Sequence, residues 1–368
     1  MNGTARRVLK AMTAELVHRS GLRRVVAAAR RVRSGGRRVA IVSYHRVVED
    51  FTAQHQRSIP GLLISRETFR KHLEQAHDAG YQFATLDEAL EVLSGRRRVP
   101  RDLFVVTFDD GYRDVVLHAA PVLERMGVPA VVYLPSGLVG TSRRFHHDRL
   151  FHLVAVMRGR GARPWYQGLP AAAAVLLEPI FAGARSPSAA LDDFIAEYPC
   201  DLLGEVIDAL ARQLGEGKPP EQGEVMGWEE ARALARRGFT LGAHTVNHAV
   251  LTLEPPQRVD QELAESKAAI ERETGSPVRD FAYCNGWYSD TLIAALVRHG
   301  FRSAVTTEDL PNVIGGDPFT LKRKVLWENF SLGALGEYSP ALTACQLDDV
   351  FGFLGMTRPV LGRRPAQR

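Results

Sequence analysis

Leu103-Phe104-Val105-Val106-Thr107-Phe108-Asp109-Asp110-Gly111-Tyr112 is a short apolar, β-branched run that stops at two adjacent carboxylates and a glycine. A run of this length without polar interruption fits a strand buried on both faces, as in a parallel sheet. Two neighbouring anions at the end of such a strand repel each other and lose hydration, so a cation or a proton has to lie between them. Capping a helix that starts near Asp114 needs only one carboxylate.

Outward from this run, strands and helices alternate. Residues 39–43 form a second β-branched run that ends in Tyr44-His45-Arg46, and helices are expected over 66–79, 86–93 and 114–126. Further strands are expected over 129–134, 239–243, 301–306 and 319–326, with helices over 228–237, 257–274 and 290–299 between them. Such alternation predicts an α/β fold with a parallel sheet, open or closed into a barrel. The rhythm stops over 142–226, where Ala- and Leu-rich stretches predict a helical insertion. His146 and His147 within it read as surface loop residues. Each polar cluster follows a strand, where barrels and open sheets place their active sites.

The 368 residues are 45% hydrophobic, enough for one large core or two ordinary ones. No run of about 18 apolar residues suggests a membrane-spanning helix. The three cysteines, Cys200, Cys284 and Cys345, are far apart, which speaks against a disulfide framework or a cysteine-ligated metal. With no apolar secretion signal, a cytoplasmic protein is expected. The net charge of +5 hides an asymmetry: residues 1–38 carry eleven Lys/Arg against Glu15 alone, so the rest of the chain is at −5. The arm, residues 1–36, spaces apolar residues between basic pairs at helical intervals, broken at Ser20-Gly21 and ended by Ser34-Gly35-Gly36. Three roles compete for it: a helix packed on the body, an anchor on an anionic membrane, or a nucleic-acid arm. Nucleic acid ranks last, because no interleaved aromatic and basic motif follows.

His244-Thr245-Val246-Asn247-His248 is the second strong signal. Imidazoles at i and i+4 on a turn or tight loop can reach one ion. Two histidines and a carboxylate leave positions open for water, which suits a catalytic Zn²⁺ or a related divalent ion. One of the two aspartates would bind the ion. The other would take a proton from water that the ion acidifies, which predicts metal-assisted hydrolysis of an amide or ester.

Thr-Phe-Asp-Asp-Gly followed by His-Thr-x-x-His resembles the signature of the polysaccharide deacetylases (NodB-homology domain, carbohydrate esterase family 4). The resemblance covers residues 37–330 with the insertion set aside. It implies a distorted (β/α) barrel, Asp109 as general base, and Asp110, His244 and His248 as metal ligands. Two motifs depart from the family. Ala282-Tyr283-Cys284-Asn285-Gly286 stands where the family usually has Arg-Pro-Pro-Tyr-Gly, so the arginine that pairs with the base is missing there. Arg323, on the last expected strand, is its substitute by topology, and Cys284 reads as a small buried filler. The late Leu-x-His motif is also absent, while Tyr44-His45-Arg46 resembles the poly-N-acetylglucosamine deacetylase branch, which implies that His45 enters the site. It is expected to be the general acid, cationic near neutral pH, with holding the barrel mouth or binding substrate as the alternative. Tyr44, Tyr283 and Asn285 are expected to contact substrate.

The expected function is removal of an N-acetyl group from an N-acetylhexosamine unit of a polysaccharide or glycan intermediate. Hydrolysis of a non-sugar amide on the same fold, and a non-catalytic glycan-binding or scaffold role, are the alternatives. The expected organisation is a basic arm (1–36), a barrel with its insertion (37–330) and a C-terminal extension (331–368), held at the inner face of the membrane by the arm.

Overall fold

The computed structural model describes residues 3–33, 36–55, 58–159, 171–214, 224–356 and 362–364. Its strands are β1 (Val39–Tyr44), β2 (Arg46–Val48), β3 (Leu63–Ser65), β4 (Gln82–Phe83), β5 (Leu103–Phe108), β6 (Ala130–Leu134), β7 (Thr240–Ala243), β8 (Asp280–Ala282), β9 (Ser303–Val305) and β10 (Arg323–Val325). Seven of them lie in the order β10-β1-β5-β6-β7-β8-β9, all parallel. The short β4 adds to β5, and β2 pairs with β3 separately.

The sheet nearly closes into a barrel. A continuous strand over 319–326 is what the sequence predicts, but the segment divides its pairing across the seam. Pro318–Thr320 forms a 3₁₀ turn, Leu321 bridges Val305, and Arg323–Val325 pairs with β1. The Thr306 amide donates to the Leu321 carbonyl at 2.8 Å, and the Leu321 amide to that of Ala304 at 3.0 Å.

Strand side chains alternate between faces, and here that alternation separates two cores. Ile41, Leu103, Val105, Val131, Tyr133, Ala282, Val305 and Leu321 pack inside the barrel. Val42, Tyr44, Phe104, Val106, Phe108, Val132, Leu134, Leu241 and Phe281 face outward onto helices. Helix Arg66–Asp78 covers part of this outer face with Phe69, Leu73 and Ala76. Its Ser65 cap accepts from the Thr68 amide, which satisfies a donor the first turn leaves free. At Gly242 the Tyr133 ring lies only 2.4 Å from where a Cβ would sit, so the close approach of β6 and β7 requires glycine.

The insertion is helical as expected among its described residues: His146–Gly159, Ala171–Phe181, Pro187–Ile195 and Cys200–Leu214. It has its own apolar core, including Leu153, Leu177, Phe194 and Ile207. It is also tied to the barrel, because the Met226 amide donates to Gly111 and that of Arg113 to Glu224.

The arm comprises helices Gly3–Arg19 and Leu22–Arg33; its expected end at Ser34-Gly35 lies outside the described residues. Ala14, Val17 and Val26 pack on Leu342, Cys345, Val350 and Phe351 of the C-terminal extension. Several of its described cations turn inward: Arg23 pairs with Asp348 at 2.7 Å, Arg30 with Asp349, and Arg31 with Asp102 at 2.8 Å. Arg38, which follows, pairs with both Asp102 and Asp348. The arm is thus a belt packed on the body. Among the described residues, no helix is long and apolar enough to cross a membrane.

Candidate active site

Alternation dictates which residues meet at the end of the barrel. Ser43 and Thr107 lie on the interior parity of β1 and β5, and His45 and Asp109 continue it beyond the last paired residues. His244 and Cys284 likewise follow the interior positions Gly242 and Ala282. Arg323 enters from β10 across the seam. The structure therefore gathers His45, Asp109, His244, Cys284 and Arg323 at the same end of the interior. Tyr44 and Tyr283 fall on the opposite parity.

Arg323 grips Asp109 through both oxygens, Nη1 to Oδ1 at 2.7 Å and Nη2 to Oδ2 at 2.6 Å. The guanidinium is itself fixed by Nε donating to the Thr306 carbonyl at 2.8 Å and Nη1 to Thr107 Oγ1 at 3.0 Å. Ser43 Oγ donates to Asp109 Oδ2 at 3.3 Å. The arginine missing after β8 is thus replaced from β10. Two parallel charge-assisted bonds hold the carboxylate in one orientation.

Asp110 has the outward parity, but its φ of +71° turns the chain back toward the barrel mouth. Its Oδ1 lies 3.5 Å from His244 Nε2 and 3.2 Å from His248 Nε2. The His244 Nδ1–H donates to the Ala282 carbonyl at 2.7 Å. This fixes the ring and leaves Nε2 directed at the site, the arrangement common to metal-binding histidines. Thr245 and His248 also have left-handed backbones, with φ of +65° and +58°. The loop holding them is pinned by Glu262, a buried residue of helix Pro256–Thr274. Its carboxylate accepts from the Val246 amide at 2.6 Å, the Asn247 amide at 3.0 Å and the Asn247 side chain at 2.8 Å.

Burial works against charge on each of these groups, and their neighbours outweigh it. Arg323 holds Asp109 below the usual carboxylate range, and His248 and His244 hold Asp110 well below it. The Cys284 sulfur and Asp110 push His244 and His248 above the ordinary imidazole value. The two imidazoles in turn draw the Cys284 thiol down. For His45 burial wins. Asp110 and Asp109 only partly offset it, and the imidazole is pulled below its usual value. The sequence predicts a cationic His45 near neutral pH, and desolvation reverses that direction.

A divalent ion fits this donor set. Among the described residues Asp110 Oδ1 is buried without a hydrogen-bond partner, and it faces two imidazole nitrogens. A buried, unpaired carboxylate oxygen is costly, and a cation would satisfy it.

Three expectations need correction. Tyr44 is wholly buried in the outer core, its hydroxyl on His72 Nδ1 at 3.2 Å. Tyr283 is buried too, its hydroxyl donating to the Phe319 carbonyl at 3.0 Å. Neither reaches the barrel mouth, whereas Asn285 is exposed at the turn after β8 with φ +56°. His147 is not a surface residue. It is buried, packs 5.3 Å from the His248 ring and bonds the Tyr112 hydroxyl at 2.9 Å. Sequence reasoning also missed Glu262. The helix carries it beside the buried positions Leu263, Ser266 and Ile270, and a glutamate on that face was the available signal.

A near-closed parallel barrel with paired carboxylates and imidazoles gathered at one end is the frame of a hydrolase site. Residues 96–304 match the polysaccharide deacetylase family model, and the chain belongs to that family, whose members hydrolyse carbon–nitrogen bonds. It is 22% identical over 279 residues to YxkH of Bacillus subtilis (strain 168), a protein named as a polysaccharide deacetylase, covering 75% of this chain and 70% of that one. Among solved structures, IcaB from Ammonifex degensii superposes with a TM-score of 0.54 at 21% identity, over 85% of this chain and 98% of that one. The Streptococcus pyogenes deacetylase PplD, solved with acetate, gives 0.53 at 16%, over 81% and 96%. At these identities the superpositions speak for the fold.

Proposed function

We propose that the protein removes the N-acetyl group from an N-acetylhexosamine unit of a polysaccharide or glycan intermediate, with a divalent ion, zinc, held by Asp110, His244 and His248. One observation carries the reading. A fully buried carboxylate, Asp109, is clamped ionised by Arg323 beside a second carboxylate whose free oxygen faces two imidazoles. The ion supplies a polarised acyl carbonyl and an acidified water, as metal-assisted hydrolysis requires.

The chain's own residues do the rest. Asp109 takes a proton from the attacking water, while Arg323 fixes its orientation and keeps it anionic between turnovers. The water oxygen joins the acyl carbon, the C–N bond breaks, and the nitrogen leaves with a proton as the amine. His45 is the proposed donor of that proton. Its Nδ1 is buried and has no hydrogen-bond partner among the described residues. Burial keeps the ring neutral at rest, so the proton it passes to the nitrogen is the one Asp109 takes from the water, and Asp109 is anionic again once the amine has left. Asn285 is the proposed substrate contact at the rim.

Acetate release from N-acetylglucosamine oligomers tests the reading. Asp109→Asn retains the ion and loses most turnover, and His45→Ala lowers turnover by roughly 10²–10⁴. An activated ester, whose leaving group needs little protonation, is affected far less by His45→Ala. Equal losses on both substrates make His45 a positioning residue. Ring-opening of a cyclic imide without acetate release from oligomers overturns the sugar assignment.

We also propose a cytoplasmic protein that rests on an anionic membrane surface. The arm exposes Leu9, Met12, Leu16, Val25 and Val32, and Arg31, Arg37, Arg97 and Arg98 line a recess of about 910 Å³ beside Val32. Apolar side chains beside arginines suit the boundary between head groups and acyl chains.

A further inference from the structure

We infer that Cys284 is a ligand of the ion, so that the histidine pair is served by a thiolate sulfur as well as by the Asp110 oxygen. The inference rests on the metal reading above and goes beyond it. The carboxylate and imidazoles account for the site without the sulfur, and the sequence alone predicts a filler.

Three observations converge. His244, His248 and Cys284 each offer a donor atom within 4.8 Å of the others. Cys284 is 3% exposed, so no solvent stabilises its sulfur; its neighbours are polar site atoms. Sγ lies 3.9 Å from His244 Nδ1, 4.0 Å from its Nε2, 3.9 Å from the His244 carbonyl and 3.8 Å from Thr245 Oγ1. The ring cannot turn away, because its Nδ1 is committed to the Ala282 carbonyl. Finally, the unpartnered Asp110 Oδ1, on a residue 1% exposed, faces the same Nε2 atoms. That atom points to a cation independently of the cysteine.

The distances are compatible with ligation as well as with packing. Zinc takes sulfur at about 2.3 Å and nitrogen at about 2.0–2.1 Å, so tetrahedral ligands S and N stand roughly 3.5 Å apart. The present 4.0 Å between Sγ and Nε2 is about half an ångström wider, and with the His244 ring held by Ala282 the Cys284 side chain is the one that has to turn to close it. The turn itself is fixed. The Tyr283 amide donates to Val305 at 3.2 Å, that of Gly286 to Tyr283 at 2.8 Å, and Thr307 Oγ1 donates to the Asn285 carbonyl at 3.2 Å. Alternation assigns Cys284 to the barrel interior with Ala282. A thiolate favours zinc over harder ions such as manganese, which prefer oxygen.

The test uses the full chain stripped with a chelator and reloaded with Co²⁺. The expected result is one cobalt per chain with a near-ultraviolet sulfur-to-cobalt charge-transfer band. The band persists in Asp110→Asn and is absent in Cys284→Ser. Cys284→Ser also narrows the preference for Zn²⁺ over Mn²⁺ by at least the roughly 10–100-fold that loss of a supporting residue costs. Cys284→Ala, which restores a small apolar side chain, keeps the circular dichroism of the parent and shows the same loss. Stoichiometric cobalt with no such band, or an unchanged preference in both variants, overturns the sulfur ligand and leaves the histidine site standing. Failure to bind cobalt or zinc at all overturns both.

Discussion

Replacing Arg323 by methionine keeps most of the side-chain volume and removes the charge and the fork. The guanidinium is fully buried, and the Asp109 side chain is 4% exposed, so solvent screens nothing. The substitution leaves Asp109 with Ser43 at 3.3 Å as its side-chain partner and deprives the Thr306 carbonyl of its Nε donor. Breaking a buried pair by removing one partner costs about 3–5 kcal/mol, because an uncompensated charge stays behind. The pH dependence has a definite sign. In the parent, Arg323 holds the folded Asp109 below its unfolded value, so the pair stabilises above about pH 4 and the contribution fades as pH falls through the folded value. Without Arg323, burial is opposed only by the pull of His244 and His45, and the carboxyl rises. The variant is then penalised most at high pH and recovers as the carboxyl takes a proton. Urea unfolding at about pH 5 and about pH 8 reads the gap, which is expected to widen with pH. The double variant Asp109→Asn/Arg323→Met removes the stranded charge and is expected to regain about 2–3 kcal/mol. A coupling below about 0.5 kcal/mol, or a gap that narrows as pH rises, refutes the clamp.

Other outcomes follow from the same physics. His72, buried between Tyr44 and Ser331, is pulled by burial to about 3. The unfolded chain protonates below about 6.5 while the folded one does not, so this residue alone costs about 2 kcal/mol at about pH 5. His72→Gln is expected to remove that part of the acid slope in urea titrations at the two ends of the window. Glu262→Ala strands the Val246 and Asn247 amides, and zinc affinity measured by chelator competition is expected to fall about 10–100-fold; unchanged affinity means that the loop holds itself. Leu16→Glu with Val25→Glu is expected to abolish binding to anionic vesicles in a flotation assay while acetate release from soluble oligomers persists. Undiminished binding rules out this face as the contact.

The sequence made the Asp pair, the HxxxH loop and Arg323 legible for different reasons. The first two are local patterns in which residue type and strand end already imply a cation. Arg323 was legible by topology alone, since a base on β5 needs a partner and β10 returns beside β1. What was not used was parity. Ile41 and Ser43 share a face with His45, and Ala282 with Cys284, so counting by two from the apolar interior would have sent Tyr44 and Tyr283 to the outer core. His147 and Glu262 were out of reach for another reason. One lies in the insertion and the other on a helix, and both meet the HxxxH loop only through long-range packing.

The backbone at the rim shows why this barrel can hold such a site. Of the five non-glycine residues with left-handed backbones among the described residues, Asp110, Thr245, His248 and Asn285 belong to it. Each costs about 1–2 kcal/mol relative to an ordinary conformation. An isolated loop would relax away from such a set, so something must over-determine it. The parent strands do this from below, where β5, β7 and β8 are locked in a buried parallel sheet. From outside, Glu262 holds the Val246 and Asn247 amides, and the Gly137 amide donates to the Val246 carbonyl at 2.8 Å. The strain turns Asp110, of outward parity, toward the mouth, where strict alternation would supply only Asp109 from this strand. Two carboxylates with different partners, one clamped by arginine and one open to a cation, can then serve different ends of the same reaction.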